Sequence, residues 1–593
     1  MRQSRPKCNI FGQARRPAPT KANRGDPLEA ASKLAGEHKV HPYFPPETPC
    51  RGESCIRPHP EPNFFGFRIS MGVALNRNFH YTIHFLEVKR LNKMTFNSFQ
   101  FLVFFPAAAA IYFTIPFRWR QIFLLAASYY FYMCFKPEYV IILAASTTID
   151  YFLALRINAS TSQSTRKRLL ILGFLHNIGL LAALKYLGFF SETITALLSS
   201  INILHNIQGL EFLVPVGVSY YTFKKLSYLI DVYRENQEPE KRLDTFALYV
   251  SFFPGIMSGP IDRAGKLIPQ LKQEHGFDYR RVTDGLKLMA WGFFKKLVIA
   301  DRLAAFVDKV YSTPTQYEGL SLVMAAVYFS FQVYCDFSGY TDIALGAGKI
   351  MGFELTENFN RPYFSKSIVE FWKRWHISLS TWLMDYLFLP IAYAISRKIK
   401  QPYLMKIRAE SWAYFGGIIV TMTLCGLWHG ASWTFVIWGT IHGLYLAISF
   451  AAKKIRRKLA KKLKLKKQSF IRRSLQVTFT FGMVTFAWIF FRADSLADAF
   501  YIVTHLFTGW SKIFSITGFL SAFHFGLLKK ELAVAVVSIG FMLLIHWLRK
   551  EQTFEQLVAK QKTVIRWTFY LVLLLWILTF GESGAEGFIY FRF

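Results

Sequence analysis

One histidine stands in the middle of a long apolar region, where an ionisable side chain is costly. His429 lies in the stretch CGLWHGASWTF, residues 425–435, with apolar runs on both sides. Ionisable groups at membrane depth are rare and usually serve a function. A desolvated imidazole stays neutral, so it can accept the proton of a hydroxyl group. His429 is therefore a candidate general base, and a histidine that is hydrogen-bonded within the core is the alternative.

Two further residues bear on the chemistry of His429. Cys425 precedes it by four positions, so on one continuous helix the pair could form an acyl-cysteine intermediate. In apolar surroundings, however, a cysteine more often behaves as a small hydrophobic residue. His442 follows thirteen residues after His429, about 20 Å away along a helix. Because the two histidines then cannot share a metal ion or a proton, we expect a structural role for His442.

A second unusual histidine, His376, lies in the segment FWKRWHISLSTW, residues 371–382. On a single helix, the apolar side chains around it would share one face. That face holds Trp372, Trp375, His376, Leu379, Leu383 and Tyr386. The pattern predicts an amphipathic helix at the cytoplasmic boundary, with His376 on its buried side. We place His376 in the predicted catalytic site, where it shapes the cytoplasmic entrance, and packing among tryptophans is the alternative.

The stretch CDFSGYTDIALGAGKIMGFELTENFNRPYFS, residues 335–365, combines glycines with acidic side chains. This composition predicts irregular backbone that is buried in protein or lines a wet cavity. The predicted substrate-binding residues are Asp336, Asp342, Asn358, Arg361, Trp375 and Trp428. Arg263 is a candidate contact for phosphate groups, which a guanidinium binds as a bidentate fork. Ion pairs that hold re-entrant loops explain the charged residues equally well, and Gly255, Gly259 and Pro260 are expected to shape the backbone.

The elements that must position these residues are membrane helices. Of the 593 residues, 52% are hydrophobic and 17% aromatic, which is typical of a polytopic, all-α membrane protein. We predict about ten to thirteen helices, some of them too short to span the bilayer unless they are tilted or re-entrant. The predicted spans lie near residues 97–114, 120–134, 137–156, 168–187, 211–228, 244–258, 285–300, 319–335, 412–427, 430–451, 474–491, 532–548 and 565–580.

The chain divides into two parts at Met94. Residues 1–93 are basic, polar and rich in proline, and we expect them to be disordered or to precede the physiological start of the protein. Residues 94–593 carry the apolar runs and form the predicted membrane domain.

The distribution of lysine and arginine, which give the chain a net charge of +34, indicates the orientation of the helices. Lysine and arginine fall mainly between the apolar segments and match no nucleic-acid motif, so we assign them to cytoplasmic loops and anionic lipid head groups. The most basic loops, residues 396–408 and 453–473, are both expected to face the cytoplasm. Two spans joined by a tight turn then fit between them. His429 would lie near that turn, in the outer half of the bilayer.

Several motifs resemble those of the membrane-bound O-acyltransferase family, in matching order from Met94 to Phe593. They are PVGVSYYTFKKLSYLIDVYR, SFFPGIMSGPIDR, YCDFSGYTDIALGAGKIMGFELTENFNRPYFS, EFWKRWHISLSTWLMDYLFLPI, GLWHGASWTFVIWGTIHG, WIFFRADS and FIYFRF. The chain looks like the bacterial alginate O-acetylation branch, which also includes peptidoglycan O-acetylating proteins.

The resemblance implies a ring of helices around a thin central partition, with His429 as the near-invariant W-H-G histidine. His376 and His442 match two further family histidines. The implied reaction moves an acyl group, expected to be acetyl, from a cytoplasmic thioester such as acetyl-CoA to an external polysaccharide, with a periplasmic or extracellular partner protein. The implied location is the inner membrane, with no bound cofactor and no metal. D-alanyl transfer toward teichoic acid and a transporter or flippase are the alternatives.

Overall fold

The computed structural model describes residues 94–189, 191, 193, 195, 215–405, 407–462, 469–549 and 552–582. The expected leader, residues 1–93, and the terminal FIYFRF motif lie outside these residues. The described part is almost entirely helical, and its one antiparallel hairpin pairs β1 (Tyr403–Leu404) with β2 (Ile407–Arg408). An all-α membrane protein is therefore confirmed.

The helices of the described residues are numbered here in chain order. Helices α1–α8 are Phe99–Thr114, Phe117–Met133, Glu138–Ala159, Gln163–Lys185, Val218–Tyr233, Leu243–Ser251, Phe253–Ile256 and Ala264–Leu271. Helices α9–α14 are Tyr279–Phe293, Asp301–Tyr311, Leu320–Met351, Ile368–Trp372, Ile377–Leu383 and Leu389–Lys398. Helices α15–α23 are Ala409–His429, Trp433–Ala451, Lys453–Lys462, Phe470–Arg492, Leu496–His505, Ile516–His524, Lys529–Arg549, Phe554–Ala559 and Thr563–Phe580. Two π-helical segments, Phe294–Ala300 and Met384–Phe388, join α9 to α10 and α13 to α14.

Within the described residues, nine helical segments are long and apolar enough to cross a membrane, and α1 is a shorter apolar helix. The sequence prediction missed one of them, Ile377–Lys398, because the motif around His376 was interpreted as a boundary helix. The span predicted at residues 244–258 is wrong, since the helix breaks at Phe252. Pro254 explains the break, because proline has no N–H to continue the helical hydrogen bonds.

The glycine-rich stretch after Tyr334 is also more regular than predicted. Instead of irregular backbone, α11 continues unbroken to Met351. A Cβ on Gly339 or Gly346 would lie only 2.8 or 2.6 Å from a carbonyl oxygen of α9. These glycines therefore serve close helix packing, as small residues do between membrane helices.

A fully buried ion pair joins three of the first membrane helices. Lys225 Nζ of α5 lies 2.9 Å from Asp150 Oδ2 of α3, and both side chains are fully buried. The Asn177 amide of α4 donates to both oxygens of the same carboxylate, at 2.8 and 2.9 Å. The charges thus hold α4 in place. Lys185, the last residue of α4, contacts the candidate site.

Helices α15 and α16 form a tight antiparallel hairpin. A Cβ on Gly426 would lie 2.2 Å from the Phe435 carbonyl oxygen, and one on Gly439 would lie 2.3 Å from the Met422 carbonyl oxygen. The backbones of the two helices are therefore in direct contact just before the turn that carries His429.

Replacing Gly426 by alanine is expected to force these helices apart. Overpacking of this kind costs about 1–3 kcal/mol, so the thermal unfolding temperature of the purified protein in detergent should fall. Gly482→Ala is the matched control, because no atom lies within 4 Å of the added Cβ on α18. Equal unfolding temperatures for Gly426→Ala and Gly482→Ala would contradict the close contact.

Candidate functional site

His429 is the last residue of α15, and a turn of three residues separates it from α16. The predicted hairpin of two spans is therefore confirmed. The carbonyl oxygens at the end of α15 have partners from outside the hairpin. Lys185 Nζ donates to the carbonyls of Trp428 and His429 at 3.1 and 2.8 Å. A cation at this position satisfies the free carbonyls and the negative end of the helix dipole, so it fixes the backbone of His429.

The neighbouring residue adds a second contact of the same kind. The Tyr186 hydroxyl lies 3.0 Å from the Leu427 carbonyl oxygen and 2.9 Å from that of Trp428. Neither Lys185 nor Tyr186 was among the predicted site residues. The sequence does indicate Lys185, because this lysine stands within the apolar run LLAALKYLGFF, just as His429 stands between apolar runs.

Tryptophan rings enclose the His429 imidazole, whose residue is only 3% exposed. The ring of Trp428 lies 4.2 Å from it, and that of Trp438 lies 6.3 Å away at 90°. The imidazole is thus held in a largely water-free, aromatic environment at the end of a helix.

The predicted separation of about 20 Å between His429 and His442 is wrong. The Trp438 ring lies 6.3 Å from the first and 5.0 Å from the second, and these distances together fall well short of 20 Å. The prediction assumed a single rising helix, whereas the turn after His429 reverses the chain. The indole of Trp438 nevertheless lies next to both rings, and Trp372 packs against His442 at 5.1 Å.

His376 does not lie on a single amphipathic helix, as was predicted. Helix α12 ends at Trp372, and His376 precedes α13 in a left-handed conformation with φ of 42°. The break has a tertiary cause, because the Asn358 carbonyl accepts the Ile377 N–H at 2.9 Å. The Asn358 Oδ1 atom accepts the N–H and Oγ–H of Ser378, at 3.2 and 2.6 Å. A neighbouring loop thus caps α13 where a continuous helix would have supplied its own bonds.

The same loop contacts the imidazole itself. His376 is 1% exposed, and its Nδ1 atom lies 3.3 Å from Asn358 Oδ1. Ser378 Oγ also accepts the Ile261 N–H at 3.0 Å, and Asp262 accepts the N–H and hydroxyl of Thr356 at 2.8 and 2.6 Å. Burial raises the pKa of Asp262, and the nearby Lys224 ammonium opposes that rise. Two loops therefore hold His376 in position.

Aromatic rings of α5 connect the two histidine segments. The Tyr220 ring lies 6.4 Å from His376 and 6.0 Å from Trp428. Phe223 stacks on Trp428 at 4.8 Å and on Trp382 at 4.1 Å. His376 and His429 therefore belong to one buried aromatic cluster, although 53 positions separate them in the sequence.

The sequence model of the membrane-bound O-acyltransferase family matches residues 177–493, more than half of the chain. This chain belongs to the membrane-bound O-acyltransferase family. The match includes His376, His429 and His442, which all pack against buried aromatic rings. The protein is accordingly a multi-pass membrane enzyme that transfers acyl groups to oxygen.

Named relatives of this O-acyltransferase fall in its bacterial branch. "Probable alginate O-acetylase AlgI" of Azotobacter vinelandii is 36% identical over 418 residues, which cover 70% of this chain and 78% of the relative. "Peptidoglycan O-acetyltransferase" of Helicobacter pylori is 32% identical over 381 residues, covering 60% and 67%. "Teichoic acid D-alanyltransferase" of Bacillus subtilis is 29% identical over 237 residues, covering 39% and 58%. The predicted resemblance to the alginate and peptidoglycan O-acetylation branch is confirmed.

Two of the predicted substrate-binding residues of the O-acyltransferase form ion pairs. Asp336 of α11 lies 2.7 Å from Lys296 Nζ, which also lies 2.7 Å from Asp301. Asp342 lies 2.8 Å from Lys295 Nζ. Both lysines belong to the π-helical segment after α9, so these ion pairs join two helices rather than hold re-entrant loops.

The other predicted substrate-binding residues do not all lie beside the same histidine. Trp428 packs beside His429, and Asn358 contacts His376, whereas Trp375 packs at 5.1 Å from both Phe359 and Trp488. Arg361 has a φ of 50° and donates from Nη1 to the His546 carbonyl oxygen at 3.3 Å. Sequence analysis missed His546, a buried histidine of α21.

Three further predictions concern Arg263, Cys425 and a metal site. Arg263 pairs with Asp385 at 3.1 Å and packs 4.3 Å above the Tyr386 ring. Cys425 is buried one turn before His429 on the same continuous helix. In the part of the chain that the structure describes, no group of three or more His, Cys, Asp or Glu side chains is arranged to hold a metal ion.

Proposed function

We propose that this O-acyltransferase moves an acetyl group from a cytoplasmic thioester, such as acetyl-CoA, to hydroxyl groups of an external polysaccharide. Its place is the inner membrane, and His429 is the general base. The observation that carries the proposal is the His429 imidazole at the end of α15, enclosed by tryptophans and fixed through its backbone by Lys185. The alginate and peptidoglycan O-acetylating relatives support the choice of acyl group and acceptor.

The reaction requires one base and one exposed hydroxyl. His429 accepts the hydroxyl proton while the sugar oxygen attacks the thioester carbonyl. The new C–O bond forms, the C–S bond breaks, and the departing thiolate takes up the proton from the imidazolium. No acyl-enzyme intermediate is needed, and Cys425 then has only a packing role.

The distribution of charge supports this direction of transfer. The basic helix α17, Lys453–Lys462, follows the end of α16 that lies away from His429. Loops rich in lysine and arginine face the cytoplasm, so His429 lies toward the outer side. The acceptor, and a periplasmic or extracellular partner that presents it, would approach the turn between α15 and α16, while lipids surround the exposed helix faces.

His376 is proposed to act on the donor side. Its imidazole contacts Asn358 and lies within ring contact of Tyr220, which also contacts Trp428. A thioester arriving from the cytoplasm would pass these residues before it reaches His429. Trp375, Asp336, Asp342 and Arg361 support the walls of this route, the two acids through their lysine partners.

D-alanyl transfer toward teichoic acid is the second candidate. The similarity to the Bacillus subtilis D-alanyltransferase supports it, but that similarity covers only 39% of this chain. The family assignment favours both reactions over a transporter or flippase, because transport moves a substrate without breaking an ester or thioester bond.

The transferred group is measured directly in envelope polysaccharide. We expect alkali to release acetate from cells that carry the protein and none above background from cells with an empty vector. The physical basis is that O-esters hydrolyse in alkali while amide-linked acetyl groups remain. Release of D-alanine in place of acetate would assign the second function, and equal release from both strains would contradict both.

A further inference from the structure

An apolar crevice of about 600 Å³ lies between α1 and α9, outside the histidine cluster. All but one of its lining residues are apolar, and Thr114 is the exception. Its volume falls in the range of small-molecule sites in proteins. The lining includes Leu102, Ala110, Phe113, Thr114, Phe277 and Leu286.

The crevice opens at the protein surface. Three of its lining residues are strongly exposed, namely Leu102 (51%), Phe277 (66%) and Leu286 (52%). Its floor is formed where α9 packs on α11, a candidate membrane span that includes Ile350. An open apolar crevice beside a membrane helix faces lipid, and lipid chains are the apolar molecules present there.

One end of the crevice is cationic and aromatic. Phe113 packs against Phe277 at 5.7 Å at this end, where α1 finishes. Arg118 follows four positions after the lining residue Thr114, and Arg280 is the second residue of α9; both arginines are exposed. Arg120 Nη1 donates to the His275 carbonyl at 2.8 Å, so the two turns lie side by side.

Exposed aromatic residues mark the same end as the level of the lipid head groups. Trp119 is 52% exposed and Tyr279 is 73% exposed, and rings of this type collect at membrane interfaces. The acid of this turn, Asp278, accepts the Arg281 N–H as the helix cap. Glu274 is also exposed nearby, so Arg118, Arg280 and Arg281 outnumber the two acids at this end of the crevice.

We propose that the crevice between α1 and α9 binds one acyl chain of an anionic glycerophospholipid, whose phosphate is held by Arg118 and Arg280. The apolar lining takes the chain and excludes the head group. The arginines at one end select a negative head group, since guanidinium groups pair well with phosphate. By the positive-inside distribution of charge, the lipid belongs to the cytoplasmic leaflet.

The site is tested with phosphatidylglycerol that carries a photoreactive group on one acyl chain. The full-length protein in lipid nanodiscs is irradiated, and the labelled peptides are identified by mass spectrometry. We expect labelling of α1 and α9 peptides, and Ala110→Phe should reduce it by about tenfold because the new ring fills the crevice. Ala107→Phe on the exposed outer side of the same helix is the matched control and should leave labelling unchanged.

A second experiment tests whether the crevice selects an anionic head group. In wild type, phosphatidylglycerol should label the crevice about tenfold more than phosphatidylcholine with the same chain, and Arg118→Gln with Arg280→Gln should remove the difference. Both arginines are exposed, so this variant is expected to fold. Equal labelling of wild type and Ala110→Phe, no labelling of α1 and α9, or equal labelling by both lipids in wild type would overturn the proposal. None of these readouts depends on acyl transfer.

Discussion

His429→Ala is expected to lower acyl transfer by about 10²–10⁴-fold, the contribution of a positioned general base. The protein should still insert and fold, because the end of α15 is held through the backbone carbonyls that Lys185 and Tyr186 contact. The measurement is alkali-released acetate from envelope polysaccharide, with membrane levels of the variants matched by immunoblot.

Cys425→Ala is the matched control for this variant. It removes a buried thiol one turn away on the same helix, so it perturbs the same packing without removing the proposed base. We expect it to retain transfer within a few-fold of wild type. Loss of transfer in Cys425→Ala would instead support the acyl-cysteine mechanism, whereas wild-type transfer in His429→Ala would make His429 structural.

Lys225→Met is expected to destabilise the protein by about 3–5 kcal/mol, because it leaves a buried carboxylate without its partner. Asp150 and Lys225 are both fully buried, so neither charge can be solvated when the other is removed. The thermal unfolding temperature in detergent should fall sharply. Transfer should fall with it, since α4 also carries the lysine that holds the backbone of His429.

Two further variants distinguish the loss of the Asp150–Lys225 ion pair from a general effect of removing a lysine. The double variant Asp150→Leu with Lys225→Met removes both charges and should recover most of the lost stability. Lys287→Met disrupts a more accessible pair with Asp284 and should change stability by about 1 kcal/mol or less. A double variant no more stable than Lys225→Met would show that the charges themselves are not responsible.

Hydrophobic runs in the sequence predicted most of the helices, because a membrane span must be long, apolar and internally hydrogen-bonded. The position of His429 at a turn followed from two basic loops that must face the same side. The local pattern G-A-S between two apolar runs agreed with that turn. These features depend on composition and neighbouring residues, so they can be recognised in a single sequence.

The parts that could not be predicted depend on contacts between distant segments. His376 lies at a break because Asn358, eighteen positions away, caps the next helix. Glycines 339 and 346 suggested irregular backbone, yet they serve packing against α9. Tyr220 was not singled out at all, since nothing in its local sequence shows that it lies between the two histidine segments.

The aromatic rings between His376 and His429 have a consequence for the proton gradient across the membrane. An enzyme reached by substrates from both faces of a membrane would dissipate the proton gradient if its two approaches joined as a continuous file of water. The Trp428 ring lies 6.0 Å from the Tyr220 ring and 4.8 Å from the Phe223 ring at this point, and apolar constrictions resist wetting. Under the proposed transfer across the membrane, these packed rings are expected to prevent a continuous file of water between the two approaches.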